Sequence, residues 1–353
     1  MTTEKKTIRL LVETLDSDPT VVVENGTPRE FKRLPNVLRG AQKAVVEQLI
    51  AEAIVSGTAR RARVESGRDT DGGSVVVSPA FGPDKTVFGV QVALGPGDTS
   101  TPASVAAWEW ELGLDGVPPR LRLSGEFFDV FGIGPDYQDR SVYGPADFFA
   151  RIVRLNDVFS GWETIKRARA GHRSSGDFVI RRESGDLAVI RYAQRCVETP
   201  AGLRLRGICR ELSATEVGTD LDVAVLDSMA MRHMLGTQQM FAYILDTTIP
   251  HAPCVLKWLT SWVPNIGHGV STGQTPAVHP DDLPTVMQLI EEGRRTAEPV
   301  TGTARVRRAG GGWISMRATG QLLSPSLSEN TWILMIHPES LAEKGVPSSA
   351  VPV

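Results

Sequence analysis

Short runs of alternating apolar and polar residues dominate this chain. Ile314, Met316 and Ala318 alternate with Ser315, Arg317 and Thr319, the period of a half-buried strand. Phe88, Val90, Val92 and Leu94 share one side of residues 86–94 in the same way. Over residues 203–212, Leu203, Leu205 and Cys209 stand opposite Arg204, Arg206 and Arg210, giving one apolar and one basic face. Further strands are expected over residues 8–12, 20–23, 60–65 and 74–78. Helical spacing is clearest over 38–55. There Ala41, Val45, Leu49 and Ala53 recur every fourth residue, flanked by Val46, Ile50 and Ile54. Gly57 follows as a stop. Shorter helical stretches are expected at 125–131 and 146–159. A connecting helix over 220–239 carries a stripe of Val225, Leu226, Met229, Ala230, His233 and Met234. Gly310-Gly311-Gly312 and Pro83-Asp84-Lys85 supply reversals between strands.

The hairpin pattern occurs twice. Residues 180–194 lie beside residues 306–320, with Arg182 matching Arg308, Gly185 matching Gly311 and Arg191 matching Arg317. The offset is constant at 126 residues (308 − 182 and 317 − 191). Upstream, Trp108-Glu-Trp-Glu-Leu echoes Phe241-Ala-Tyr-Ile-Leu, and Gly144-Pro-Ala-Asp-Phe echoes His279-Pro-Asp-Asp-Leu. The order is the same in both copies, as expected of a duplicated domain with small insertions.

The repeat unit resembles a PAS domain. The resemblance rests on the aromatic first strand, on Val278-His-Pro-Asp-Asp-Leu-Pro284 and on Arg308-Ala-Gly-Gly-Gly-Trp-Ile314. The earlier copy departs from it, with Gly144-Pro-Ala-Asp147 in place of His-Pro-Asp-Asp and Leu187 where the Trp would stand. The N-terminal stretch, one long helix on an antiparallel sheet, resembles a GAF or PAS unit. The arrangement is similar to the stand-alone GAF–PAS–PAS proteins of actinobacteria, mycobacteria among them, which lack an output domain. An α+β fold of three tandem sensor-like modules follows from it: residues 1–104, 105–215, 216–340 with the connector helix, and a tail at 341–353 expected to be disordered. Residues up to Lys6 and the linker over 95–102 are expected to lack regular structure.

Composition narrows the function. A chain of 353 residues with 41% hydrophobic content can form two to three ordinary cores. A net charge of −3 and a pI near 6.1 exert no general pull toward nucleic acid or anionic lipid. Three cysteines without a Cys-x-x-Cys pair do not form a disulfide framework or zinc ribbon. No signal peptide and no membrane-length apolar run is read, so a cytoplasmic location is expected. The six histidines are scattered, and none has a partner at metal-ligand spacing. Phosphate-binding loops, nucleophile elbows and zinc-protease motifs are not found. Gly132-x-Gly134, followed by Pro135, reads as a turn.

Candidate site residues come from strand parity. In the second module Ile190, Tyr192, Leu203, Leu205 and Cys209 face inward, with Ile314 and Met316 as counterparts in the third. They either wall a small-molecule pocket or simply fill a core. The resemblance implies that such a pocket takes haem, flavin, nucleotides or metabolites without selecting among them, so the cofactor is left open. Arg191, Arg195, Arg204, Arg206 and Arg210 form a candidate partner surface for an acidic protein or a neighbouring domain, the alternative being a solvated sheet face. Trp258 and Trp262 either hold a planar ligand or belong to a core. His279-Pro-Asp-Asp282 reads as a helix start, with acids at the positive end of the dipole. Cys209 reads as an inert buried thiol. Together these readings describe a non-enzymatic sensor or signalling adaptor that transmits the binding of a small ligand or of a protein partner through the packing between its modules. An enzyme on a reused fold and a structural scaffold remain as alternatives.

Overall fold

The structure is a computed structural model. It describes residues 7–66, 69–95, 104–112, 116–134, 140–213, 223–238, 240–249, 252–263, 265–267, 277–324 and 328–337. The fold is α+β and mostly sheet. Three antiparallel sheets of six, five and five strands account for it. The expected disordered N-terminus, most of the 95–102 linker and the 341–353 tail lie outside the described residues.

The first sheet is built from β1 (Ile8–Glu13), β2 (Thr20–Glu24), β3 (Thr27–Arg33), β4 (Arg60–Ser66), β5 (Asp69–Phe81) and β6 (Val87–Gly95), in the order β3-β2-β1-β6-β5-β4. Helix α1 (Gly40–Ser56) covers one face. Val46, Leu49, Ile50 and Ala53 are its buried side, and Gly57 closes it in the left-handed conformation at φ 63°. Ala41 and Ile54, expected in the stripe, are exposed, so the buried arc is narrower than the apolar pattern. On β6, Val90, Val92 and Leu94 join this core, while Phe88 belongs to a cluster on the other side of the sheet.

The second and third sheets share one topology. β7 (Val105–Glu111), β8 (Arg120–Leu123), β9 (Arg173–Arg181), β10 (Leu187–Thr199) and β11 (Gly202–Glu211) are ordered β8-β7-β11-β10-β9. β12 (Phe241–Asp246), β13 (Cys254–Trp258), β14 (Val300–Arg307), β15 (Trp313–Ser324) and β16 (Ser328–Ile336) are ordered β13-β12-β16-β15-β14. The repeated hairpins turn identically. In the first, Arg182 N donates to Asp186 O at 2.9 Å and Gly185 N to Arg182 O at 3.0 Å. In the second, Arg308 N donates to Gly312 O and Gly311 N to Arg308 O, both at 3.1 Å. Gly185 and Gly311 have φ of 93° and 95°, a region open to glycine and closed to most side chains. Register obeys the sequence offset too. Tyr192 faces Gly176 and Ile190 faces Phe178, as Ala318 faces Gly302 and Met316 faces Ala304.

The helices are α2 (Gly125–Phe131), α3 (Pro145–Phe149), α4 (Leu155–Lys166), α5 (Val223–Thr237) and α6 (Leu283–Thr296). The single helix expected over 146–159 is two, interrupted at residues 150–154. Helix α5 forms where expected, but of its stripe only Val225 is buried. Leu226, Met229 and Met234 are 50%, 38% and 61% exposed. No helix among the described residues is long and apolar enough to cross a membrane.

The chain folds into two compact units. One comprises Met1–Leu112, Arg122–Asp139 and Arg167–Asp220; the other comprises Gly113–Leu121, Arg140–Lys166 and Leu221–Val353. The first holds the first sheet and most of the second. The other holds the third sheet together with α3 and α4, which the chain supplies from between the strands of the second sheet.

Candidate functional site: a cavity against the third sheet

The second sheet is buried on both faces. Strand parity sends Trp108 and Trp110 of β7, Tyr192 of β10 and Leu205 of β11 to one face, against α2. That face is filled with rings. Tyr192 stacks on Phe178 with centroids 4.2 Å apart and planes at 10°. Trp108 meets Phe127 edge-on at 6.5 Å, and Phe127 stacks on Phe131 at 3.9 Å. Gly207 opposite Trp108 leaves room for the indole, since a Cβ there would lie 2.3 Å from the ring. Ile190, Leu205 and Cys209 are wholly buried here, and Leu203 is half-buried at the strand start. Burial pushes the Cys209 thiol well above its ordinary range.

The other face carries the arginines, and it packs on the first sheet. Val105, Ala107, Ala193 and Ile208 meet Leu11, Val22, Val23 and Phe88 in one apolar cluster. Around it the guanidinium groups pair with acids. Arg195 donates to both oxygens of Glu13, at 2.9 and 3.1 Å, and to Asp16 at 2.8 Å. Arg206 donates to Glu109 at 2.8 Å and Asp84 at 3.0 Å. Arg191 forms a two-pronged pair with Asp177, 2.7 Å in each prong, and reaches Gly26 O. Arg204 lies 3.8 Å from Glu109, and Arg210 donates to Glu211 O at 3.3 Å. These five arginines therefore meet acids and carbonyls of the chain's own two sheets.

The third sheet departs from the second at its centre. By the 126-residue offset, Ala304 stands where Phe178 stands (304 − 126) and Ala318 where Tyr192 stands (318 − 126). The stacked pair of the second sheet is thus replaced by two methyl groups. Gly302 and Gly320 lie beside them. A cavity of about 480 Å³ opens over these small residues, within the usual size range of ligand sites. Helix α6 lies over it through Leu283, Val286, Leu289 and Ile290. Residues 144–146 and 116–120 contribute further wall, as does the segment after β13.

Aromatic side chains frame the cavity. Tyr243, Trp258, Trp262 and Trp332 all line it. Trp258 and Trp262 are not on a helix: Trp258 ends β13 and Trp262 follows a bend, with centroids 5.2 Å apart and planes at 41°. Burial pushes the Tyr243 phenol well above its ordinary range. The indole nitrogens of Trp258 and Trp332 are buried without a hydrogen-bond partner, and such donors are costly to leave unpaired. Met316 lines the cavity, while Ile314, two residues earlier on β15, is packed in the adjoining core.

Two features support the walls. Asp282 accepts from Arg305 Nε at 2.9 Å, Nη2 at 2.7 Å and the backbone N at 2.8 Å, tying the start of α6 to β14. These bonds hold its carboxyl well below the usual carboxylate range. The His-Pro-Asp-Asp segment forms the turn ahead of α6, with Asp282 as the residue before the helix. Lys257 on β13 is buried and donates to Phe149 O at 2.9 Å and Ala150 O at 3.0 Å, carbonyls where α3 ends. Burial, and then the Arg232 charge, push its amine down to about 7.

No group of three or more His, Cys, Asp or Glu suited to a metal occurs among the described residues. The sequence signal that could have located the cavity is the same 126-residue offset: applied to Phe178 and Tyr192, it reports a large-to-small exchange at both positions.

Residues 9–103 match the family model described as Rv3651-like, N-terminal. Across nearly the whole chain the fold is similar to the crystal structure of an uncharacterized protein from Mycobacterium tuberculosis. The TM-score is 0.68 at 20% identity, covering 96% of this chain and 99% of that one. An RNA-binding light-oxygen-voltage receptor gives a TM-score of 0.26 at 11% identity, over 66% of this chain and 95% of that one. The periplasmic sensory domain of the Campylobacter jejuni chemoreceptor Tlp1 gives 0.18 at 9% identity, over 62% and 75%. No curated protein matches the chain.

Proposed function

We propose that this chain is a non-enzymatic cytoplasmic sensor or adaptor of PAS-like build, whose second unit takes up a small, largely apolar molecule. The observation that carries the reading is the cavity over Ala304 and Ala318, set against the filled face of the duplicate sheet. A folded chain does not keep such a volume without cost, because the lining loses contacts on its empty side. Occupancy would bias the packing of α6 and of the neighbouring α3 against the third sheet, and a protein partner would read that change. Helix α5, whose Leu226, Met229 and Met234 are exposed, is the element through which we expect the partner to respond.

The test is native mass spectrometry and an absorption spectrum of protein purified from its own host, beside a variant carrying Ala304→Phe and Ala318→Tyr. These substitutions rebuild the ring pair of the second sheet. The expected result is a defined added mass on the natural chain that the variant lacks. A bare natural chain that also binds nothing from a metabolite extract would overturn the reading.

A further inference from the structure

The strand register sorts the side chains of the third sheet onto two faces, and this bears on the class of molecule the cavity takes. Residues directly opposite one another on neighbouring strands share a face. Gly302 stands opposite Ala318, and Ala304 opposite Met316. On the strands beyond, Gly320 stands opposite Leu334, and Leu334 opposite Tyr243. This small and apolar patch is the wall of the cavity. Arg305, Arg307 and Arg317 stand opposite Ser315, Trp313 and Thr303, on the other face of the sheet.

The remaining walls add no counter-charge. Helix α6 meets the cavity through Leu283, Val286, Leu289 and Ile290, and none of its acids or arginines takes part. Arg120, on β8 at the edge of the cavity, is exposed. Among the described residues a charged guest would therefore find no buried group of opposite sign, and burying an unpaired charge is costly.

The duplicate sheet supplies a template for the shape of the guest. Where the third sheet has Ala304 and Ala318, the second holds the rings of Phe178 and Tyr192, stacked 4.2 Å apart with planes at 10°. The third sheet lacks these rings and keeps an aromatic surround. Tyr243 and Trp258 lie 4.8 Å apart with planes at 47°, and both line the cavity beside Trp332. Tilted ring contacts of this kind contribute beyond the area they bury. Helix α6 also comes down onto the sheet at two glycines. A Cβ at Gly302 would lie 2.3 Å from Leu289, and one at Gly293 would lie 2.6 Å from Trp332. Such close approach keeps the gap beside them shallow and favours a flat body.

We propose that the cavity takes an uncharged aromatic molecule, its ring in the space that Phe178 and Tyr192 fill in the second sheet. This rests on the ligand-binding reading above and names the class of ligand.

The experiment compares four probes with one fused two-ring skeleton: 2-naphthol, its saturated counterpart decahydro-2-naphthol, and the charged 2-naphthoate and 2-naphthylmethylammonium. Binding to the full chain at neutral pH is followed by calorimetry. We expect 2-naphthol to bind one per chain, about fivefold more tightly than decahydro-2-naphthol, the size expected of ring-on-ring contact. Both charged probes should bind at least about tenfold more weakly than 2-naphthol. Ala304→Phe with Ala318→Tyr should abolish 2-naphthol binding. Ala318→Tyr alone serves should the pair fold poorly, and should weaken binding at least about tenfold. Arg317→Met, exposed on the far face, should change none of the four affinities. Decahydro-2-naphthol or a charged probe binding as tightly as 2-naphthol would overturn the aromatic inference and leave the cavity reading standing. Binding of 2-naphthol that survives the filling substitutions would place it elsewhere and overturn the inference as well. Binding of none of the four would overturn both.

Discussion

Arg195 on β10 grips both carboxylate oxygens of Glu13 on β1, across 182 residues of chain. The two side chains are 8% and 0% exposed. Glu13 also accepts from Thr20 Oγ1 at 2.8 Å and from Leu15 N at 2.7 Å, so its lone pairs are fully used. The pair sits beside the apolar cluster where the first sheet meets the second, with the Arg195 guanidinium 5.7 Å over the Phe31 ring.

Breaking that pair from one side should be expensive, because the remaining charge stays buried. Arg195→Met is expected to destabilise the first unit by about 3–5 kcal/mol. The double substitution Glu13→Leu with Arg195→Met should recover a large part of the loss. Urea denaturation of the four chains of the cycle measures both. Additive losses would show that the two residues do not act together.

The repeated hairpin offers a matched pair of substitutions. Gly185→Ala and Gly311→Ala each force a side chain into the left-handed region, at about 1–2 kcal/mol. Neither position is crowded by neighbours: nothing lies within 4 Å of a Cβ at 311, and only the tip of Arg181, at 3.9 Å, at 185. The two costs should therefore be similar. Thermal melting of each variant gives the comparison.

Lys257 makes stability depend on pH in a defined window. Its amine sits at about 7 in the folded chain against a usual lysine value of 10.5. Between these values the unfolded chain binds the extra proton, so stability rises with pH. Below about 7 both states are protonated and the penalty of burying the charge is fully present. A neutral amine has two N–H groups, and both find carbonyls at Phe149 and Ala150. The natural chain should gain stability relative to Lys257→Met as pH is raised from 7 toward 10.5. Parallel pH slopes in chemical denaturation would refute this.

All three cysteines are free and buried. Burial raises the thiols of Cys196, Cys209 and Cys254, and at Cys196 the Glu198 charge adds to it. Native protein should react with a thiol reagent only as fast as it opens, and denatured protein at once. Rapid labelling of the native chain at Cys209 would mean that the ring-filled face is not closed.

Much of this architecture is legible in the sequence. The period-two runs placed the strands, and the offset between Arg182 and Arg308 announced two sheets of one topology. What local pattern could not show is which side of a strand meets water. Leu203, Leu205 and Cys209 against Arg204, Arg206 and Arg210 reads equally as a half-solvated sheet, a partner surface or a domain contact. The outcome depends on Ala107, Ala193 and Ile208, small or apolar residues on the arginine side that let the first sheet approach. The helix expected over 146–159 breaks at 150–154, where Lys257, about a hundred residues later, caps the last carbonyls of α3. The stripe of α5 shows the opposite failure: an apolar period without a covering surface among the described residues. The cavity escaped strand parity because parity gives direction and not volume. Met316 points the right way, but Ala304 and Ala318 make the space.

On the proposed ligand-binding reading, the cavity over those two alanines would tie the endurance of the second unit to what surrounds it. A guest that entered would add contacts along that wall and would bind the folded chain alone. Thermodynamic linkage then adds about 2.7 kcal/mol at a guest concentration a hundred times its dissociation constant. Degradation of a transiently opened chain follows that same free energy. Under the ligand-binding reading, the abundance of the guest would thereby be written into the survival time of the protein, a record that proteases could read directly.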